Sequence, residues 1–477
     1  MNLIKNYQTD LDKLFKPQSI AIFGVSISGL NMGGASFLRK LLESKYTGKI
    51  YPINPKGGEI YGLKIYPDIH SLPESPDFAI VCVGAARVPH ILQDCAATGL
   101  KHIHLLTSGF SELGTPEGIE LENQIITISR ENELKVVGPN CMGTYCPSSH
   151  LTAWGAIPGF SGPIGIISQS GGITQRLTEY ICSLGIGVEK AVSFGNGAVL
   201  KAHDYLAFMA EDKKIKVIAM YLESIKDGSG LLQLVKAISQ TKPVVLLKGG
   251  KSEASASTVT SHTGSLAGNL SIWRAFALQA GVTLVNSINE WADALVAFSL
   301  LPETLGKKVF IGSGGGGNSV IYGDVCTSEG LDVPKLAEKT MNLLREVVPA
   351  VGSIAGNPLD MFRIYQDSTL LDGVLQFVYN DPNIDMVIVD RLIPRNIYHL
   401  PDLPDTTPEL IKSVANSKNH KPTVATLDSD GGERGLSDEG TRLRQQLCLG
   451  GIPAYPSITR AARALMHLHR YYSWKRR

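Results

Sequence analysis

Short apolar runs alternate along this chain with stretches of helical spacing, and that alternation narrows the choice of fold more than any other feature. In the first segment the runs are Ser19-Ile20-Ala21-Ile22-Phe23, Ile50-Tyr51-Pro52-Ile53, Phe78-Ala79-Ile80-Val81-Cys82-Val83, His102-Ile103-His104-Leu105-Leu106 and Lys135-Val136-Val137. A strand that is apolar on both faces needs cover on both faces, and helices flanking a parallel sheet supply it. The repeat therefore predicts an α/β fold, with a Rossmann-like domain over residues 1–151. Further runs around Ile164, Val192, Val217, Val244 and Val282 predict a second α/β domain over 152–303. Runs at Val309-Phe310-Ile311, Asp385-Met386-Val387-Ile388-Val389 and Thr423-Val424-Ala425-Thr426 predict a third over 304–477. A length of 477 residues accommodates about three such domains.

The residues with the most chemical content lie in the second segment. His262 sits in Ser261-His262-Thr263-Gly264-Ser265-Leu266-Ala267-Gly268, after the strand Val244-Val245-Leu246-Leu247 and before the helical stretch that stops at Gly281. An imidazole among small residues and glycines, on a loop between strand and helix, suits a group that accepts and hands on a phosphoryl unit. Glu223, at the end of the run Ile215 to Met220, is placed to hold one ring nitrogen and present the other. Gly165-Ile166-Ile167-Ser168-Gln169-Ser170-Gly171-Gly172-Ile173 reads as a strand, a hydroxyl- and glycine-rich turn and a helix start. Such a start points backbone N–H groups and a partial positive charge outward, where phosphate binds. The turn alone is equally compatible with a strand-to-helix connection that carries no ligand. Glu223 alone is compatible with an ordinary acid at a strand end.

Together with Ser193-Phe194-Gly195-Asn196 and Gly138-Pro139-Asn140-Cys141-Met142-Gly143, these motifs make nearly the whole chain resemble the acyl-CoA synthetases that form nucleoside diphosphates, and specifically the alpha subunit of the ADP-forming type. The resemblance implies that His262 is phosphorylated and that Glu223 steadies it. It also implies phosphate binding at Ser168, Ser170, Gly171 and Gly172, with Asn140 reaching the acyl carbonyl. Both later domains become flavodoxin-like, as in succinyl-CoA synthetase. The first domain becomes a coenzyme A site, although Gly24-Val25-Ser26-Ile27-Ser28-Gly29 lacks the dinucleotide glycine spacing. Gly24, Ser26 and Gly29 would approach the CoA phosphates, Lys56 would offer them a charge, and Val83 would lie beside the nucleotide. Gly84 stands where relatives carry proline. No segment is left for an ATP-grasp domain, so the resemblance implies a separate beta subunit that binds ATP or ADP with Mg²⁺, and hence a hetero-oligomer acting on a small carboxylate. A CoA-binding regulatory or scaffolding paralogue without turnover is the alternative.

In the third segment, Gly314-Gly315-Gly316-Gly317 follows a strand without the lysine that completes a P-loop, which favours a tight turn into a packed helix. Arg391 and Arg395 are expected at a partner-facing or solvated edge. A formal net charge of +1 gives no electrostatic basis for binding nucleic acid or an anionic membrane. The seven cysteines form no Cys-x-x-Cys pair, so Cys141 and Cys146 are expected as core or site-lining thiols and no metal site is expected. The start of the sequence has no signal-peptide pattern and no apolar stretch is long enough to cross a bilayer, so reduced thiols in the cytoplasm are expected.

Overall fold

The five runs of the first segment become one parallel sheet. Its strands are β1 (Ser19–Phe23), β2 (Lys49–Ile53), β5 (Phe78–Val81), β6 (His102–Leu105) and β7 (Lys135–Val137), with a small hairpin of β3 (Gly58–Ile60) and β4 (Leu63–Ile65) after β2. The order is β2-β1-β5-β6-β7, every pair parallel. A computed structural model describes residues 10–26, 33–152, 159–225, 227–252, 269–393, 404–417, 419, 421–429 and 434–477. By packing, the chain divides into two units, Met1–Cys182 with Gly187–Asn286, and Ser183–Ile186 with Ser287–Arg477.

The first unit contains a second sheet of β8 (Gly143–Tyr145), β9 (Ile164–Ser168), β10 (Val188–Ser193), β11 (Val217–Leu222), β12 (Val244–Lys248) and β13 (Thr283–Val285), in the order β13-β12-β11-β9-β10-β8. Only β8 runs antiparallel to its neighbour. It lies within the span expected for the first domain, yet it hydrogen-bonds to the second sheet, so the chain enters that sheet before residue 151. Strands β9 and β11 are buried along nearly their whole length, which is why they read as unbroken apolar runs. The helix Leu270–Ala280 opens on Asn269, whose side chain accepts the Ser271 N–H at 2.8 Å, and stops at Gly281 with φ +69°.

The second unit holds β14 (Val309–Ser313), β15 (Leu359–Asp360), β16 (Met386–Arg391), β17 (Thr423–Leu427) and β18 (Ala454–Tyr455), all parallel, in the order β15-β14-β16-β17-β18. The helix Ile288–Leu300, counted by sequence with the second domain, belongs to this unit. Its residues Glu290 to Ser299 are all buried, a helix apolar almost all round and therefore covered all round. It packs on the terminal helix Ile458–Lys475, where Arg460 holds Asp293 at 2.7 Å and His467 meets Glu290 at 2.9 Å.

The parallel strands of the three sheets share one connectivity. In each, the second strand lies on one side of the first and the later strands lie on the other. The order reverses at β1, β9 and β14, and the crevice beyond the carboxyl ends at such a reversal is where α/β proteins bind ligands.

Candidate active site

At the reversal of the second sheet, Ser168 is in register with Ser193 on β10 and Tyr221 on β11, so three strands end level with one another. Beyond β9 the chain turns straight into the helix Gly171–Ser183. Ser170 caps that helix: its hydroxyl accepts the Ile173 N–H at 3.4 Å and its carbonyl the Thr174 N–H at 3.1 Å. The buried Ser168 hydroxyl braces the turn, accepting the Ser170 N–H at 3.1 Å and donating to the Ser170 carbonyl at 2.9 Å. The first N–H groups of any helix lack a carbonyl within it. Here they belong to Gly171 and Gly172, and a side chain at Gly172 would meet nothing within 4 Å, so that face of the turn is open. A side chain at Gly171 would strike Met142 of the Gly-Pro-Asn-Cys-Met loop.

Glu223 follows β11, one strand over, and is buried. Its Oε1 accepts the Tyr221 hydroxyl at 3.0 Å, and the Glu223 N–H donates to Gln169 Oε1 at 2.5 Å. Burial, reinforced by the Glu223 charge, pushes the Tyr221 phenol above its ordinary range, so it stays a donor. Lys248, at the end of β12, donates to the Glu223 carbonyl at 2.8 Å, and burial pulls its ammonium below the usual lysine value. Gly249 packs against this pair, and a Cβ there would stand 2.4 Å from the Tyr221 hydroxyl and would push it aside. Gln169, Tyr221 and Lys248 were not singled out from sequence. The signal for Gln169 was its place inside Ser-Gln-Ser-Gly, and the signal for Tyr221 was Tyr-Leu-Glu.

Asn140 lies in the loop after β7 with φ +58°, its N–H on the Thr107 carbonyl at 2.8 Å and its amide 3.4 Å from Asn196 Oδ1. Asn196 in turn donates to Glu112 at 2.6 Å and Glu122 at 2.9 Å. The Gly-Pro-Asn-Cys and Ser-Phe-Gly-Asn motifs are thus two loops locked together at the edge that carries Glu223 and the Ser170 turn. His262, with Gly264 and Gly268, lies outside the described residues, as do Gly29 and Arg395.

At the reversal of the first sheet, Gly24 follows β1 with φ +83°, and a Cβ on it would stand 2.1 Å from the Cys82 carbonyl oxygen. Only glycine lets the two strand ends come this close. Helix Gly33–Glu43 begins against the same turn, a Cβ at Gly34 being 3.0 Å from the Gly24 backbone. Asn54 clamps the turn by donating to the Val25 carbonyl at 2.7 Å, and its Oδ1 accepts the Lys56 N–H at 3.0 Å, leaving the Lys56 side chain exposed. Ser26 and Val83 lie in the segments that follow β1 and β5, and the Val83 carbonyl accepts the Thr107 hydroxyl at 2.8 Å. At Gly84 a side chain would meet nothing within 4 Å, so the backbone there does not demand glycine.

Arg391 departs from expectation. It is the buried last residue of β16 and donates to the Thr406 hydroxyl, because a parallel-sheet strand between β14 and β17 is covered on both faces. The Gly314–Gly317 turn does enter a helix, Gly316–Ser328, and is pinned by the Tyr365 hydroxyl, which accepts the Gly314 N–H at 2.8 Å. Among the described residues there is no cluster able to hold a metal and no helix long and apolar enough to cross a membrane, and the seven cysteines are free thiols.

With one crevice at the Gly24 turn and another where Glu223 stands beside an open helix start, both at strand-order reversals of parallel sheets, the chain has the architecture of a doubly wound α/β protein. Residues 18–147 match the CoA binding domain family, and residues 161–298 the succinyl-CoA ligase like flavodoxin domain family. The alpha subunit of ADP-forming acetate–CoA ligase I from Pyrococcus furiosus is 33% identical over 98% of both chains. ADP-forming acetate–CoA ligase I from Archaeoglobus fulgidus is 31% identical over 97% of this chain and 64% of its own length. The solved structure of dinucleotide-forming acetyl-coenzyme A synthetase 1 of Ca. Korarchaeum cryptofilum, in complex with phosphate and ADP, superposes with a TM-score of 0.86 over 98% of both chains at 29% identity. The chain belongs to the NDP-forming acyl-CoA synthetases, with the alpha subunits of ADP-forming acetate–CoA ligase.

Proposed function

We propose that this chain is the alpha subunit of a carboxylate–CoA ligase that forms ADP, working through an acyl phosphate and a phosphohistidine at His262. The observation that carries the reading is the placement of Glu223 at the end of β11, one strand from the open helix start at Gly171 and Gly172. In the direction of acyl-CoA breakdown, a phosphate oxygen attacks the thioester carbonyl carbon and the C–S bond breaks. The CoA sulfur leaves and takes a proton, and the product is an acyl phosphate. A nitrogen of His262 then attacks phosphorus, the bond to the acyl oxygen breaks, and the carboxylate leaves. Glu223 serves the step by holding the other ring nitrogen, and the Gly171 and Gly172 N–H groups by meeting the phosphoryl oxygens, since phosphoryl transfer depends mainly on placement and charge. Gly24, Ser26, Gly29, Lys56 and Val83 would hold CoA.

The phosphoryl group then passes to ADP on a beta subunit of ATP-grasp type, which would also hold the Mg²⁺. The match to only 64% of the Archaeoglobus relative supports a partner, since the rest of that protein lies beyond the match. In the two-chain complex, His262→Ala is expected to abolish acid-labile phosphate labelling and acyl-CoA formation, and Glu223→Gln to cut labelling by about 100-fold or more while the chain stays folded. An alanine variant that still labels and turns over refutes the mechanism. Coenzyme A bound by a wild-type complex that neither labels nor turns over would leave the non-catalytic reading.

A further inference from the structure

The backbone ladder between β11 and β12 reaches the bond from the Gly249 N–H to the Leu222 carbonyl at 3.0 Å. One residue further on, Glu223 has left the strand, and both of its backbone polar groups are met by side chains. Its N–H donates to Gln169 Oε1 at 2.5 Å, and its carbonyl accepts from Lys248 Nζ at 2.8 Å. The same Nζ donates to the Gly249 carbonyl and stands over the Trp273 ring, 5.3 Å from its centre. Two carbonyls and an aromatic face are three acceptors around one nitrogen, which suits an ammonium with its three N–H donors. A neutral amine would turn its lone pair on one of them. Lys248 is thus held as a cation at only 2% exposure.

A buried ammonium is costly unless opposite charge lies near it. Here that charge is the Glu223 carboxylate: burial pulls the Lys248 ammonium below its usual value, and the attraction of Glu223 pushes it back. Lys251, whose charge opposes that of Lys248, is drawn aside to the Val285 carbonyl at 2.9 Å and to Asn286 Oδ1 at 3.3 Å. Lys248 bonds the backbone of Glu223 and leaves its carboxylate alone. Among the described residues Oε1 alone is engaged, by the Tyr221 hydroxyl at 3.0 Å, so the cation lends its charge without occupying the other oxygen.

Resting on the ligase reading, we infer that Lys248 is a positioning residue for phosphoryl transfer: it fixes the Glu223 carbonyl and sets a permanent positive charge beside the Glu223 carboxylate, so that Oε2 is presented in place to the imidazole that receives the phosphoryl group. When the ring takes phosphorus on one nitrogen it gains positive charge at its remaining N–H, and the carboxylate meets that charge. Lys248 acts through Glu223, and the end of β12 is thereby joined to the chemistry at the end of β11.

The test uses the complex of this chain with its ATP-grasp partner and follows single-turnover, acid-labile labelling of His262 from acetyl-CoA and radioactive inorganic phosphate. Lys248→Met removes both the charge and the tie, and is expected to slow labelling about 100-fold. Lys248→Gln keeps a donor for the carbonyls without the charge and is expected to slow it about tenfold, so the inference does not depend on one variant folding. Because Lys248 acts through Glu223, each substitution should cost less than about threefold in a Glu223→Gln background. Affinity for CoA, which the first sheet governs, should stay within about twofold of wild type in calorimetry. A wild-type complex that fails to label, or a Glu223→Gln complex that labels at the wild-type rate, counts against the ligase reading. With those two controls as expected, wild-type labelling in both Lys248 variants, or losses as large in the Glu223→Gln background as in the wild type, overturns the assignment of Lys248.

Discussion

Gly195→Ala is the substitution whose effect can be worked most directly from the structure. Gly195 has φ +53°, and a Cβ on it would stand 2.3 Å from both the Pro139 and the Asn140 carbonyl oxygens. An ordinary carbon–oxygen contact is more than 3 Å, so two backbone carbonyls must each withdraw by about 1 Å. The left-handed conformation costs an alanine about 1–2 kcal/mol. The withdrawal also breaks the bond from the Asn196 N–H to the Pro139 carbonyl, 3.1 Å long, which contributes about 1 kcal/mol. With residual strain in the loop, the first unit should lose roughly 3–5 kcal/mol. Catalysis should suffer separately, because a displacement of about 1 Å at Asn140 and Asn196 is of the size that lowers rates about 100-fold. Urea unfolding gives the first quantity, and acyl-CoA formation by the complex well below the unfolding transition gives the second. A variant with wild-type midpoint and wild-type kcat/KM would show that the two loops are not locked as described.

Gly24→Ala places a Cβ 2.1 Å from a Cys82 carbonyl that cannot retreat freely, since the Cys82 N–H is held by Phe23 at 3.1 Å. Affinity for CoA, measured by calorimetry, should fall at least about tenfold, and unchanged affinity would remove this turn from the CoA site. In the second unit, burial pushes the Asp390 carboxyl up to about 6, even though hydroxyls of Tyr365, Thr426 and Tyr322 donate to it. A folded value above the unfolded one means that the folded state binds more protons between about pH 4 and 6, so stability is greatest at the acid end and declines as pH rises through that window, by roughly 3 kcal/mol from this group. Asp390→Asn should flatten that decline in urea midpoints recorded from pH 4 to 7. An unaltered slope would show that Asp390 does not titrate there.

Local patterns were sufficient to read much of this protein from its sequence. Buried strands such as β9 and β11 announce themselves as unbroken apolar runs, and the end of the helix Leu270–Ala280 is set by Gly281, whose left-handed φ a glycine adopts at little cost. The motifs around Ser168, Glu223, Asn140 and Asn196 were visible as clusters of turn and polar residues after those runs. Each of these depends on residues a few positions apart.

What sequence could not settle is non-local. Strand order brings Ser168 beside Tyr221, and therefore the helix start beside Glu223, across more than fifty residues. The same order sends β8 into the second sheet, buries Arg391 and assigns the helix Ile288–Leu300 to the second unit, because a strand or an all-round apolar helix shows that it must be covered but not by which neighbour. The clamp of Gln169 on the Glu223 backbone has the same origin. Residue type supplied the donors and acceptors, and only the packing of one strand end against the next decided which of them meet.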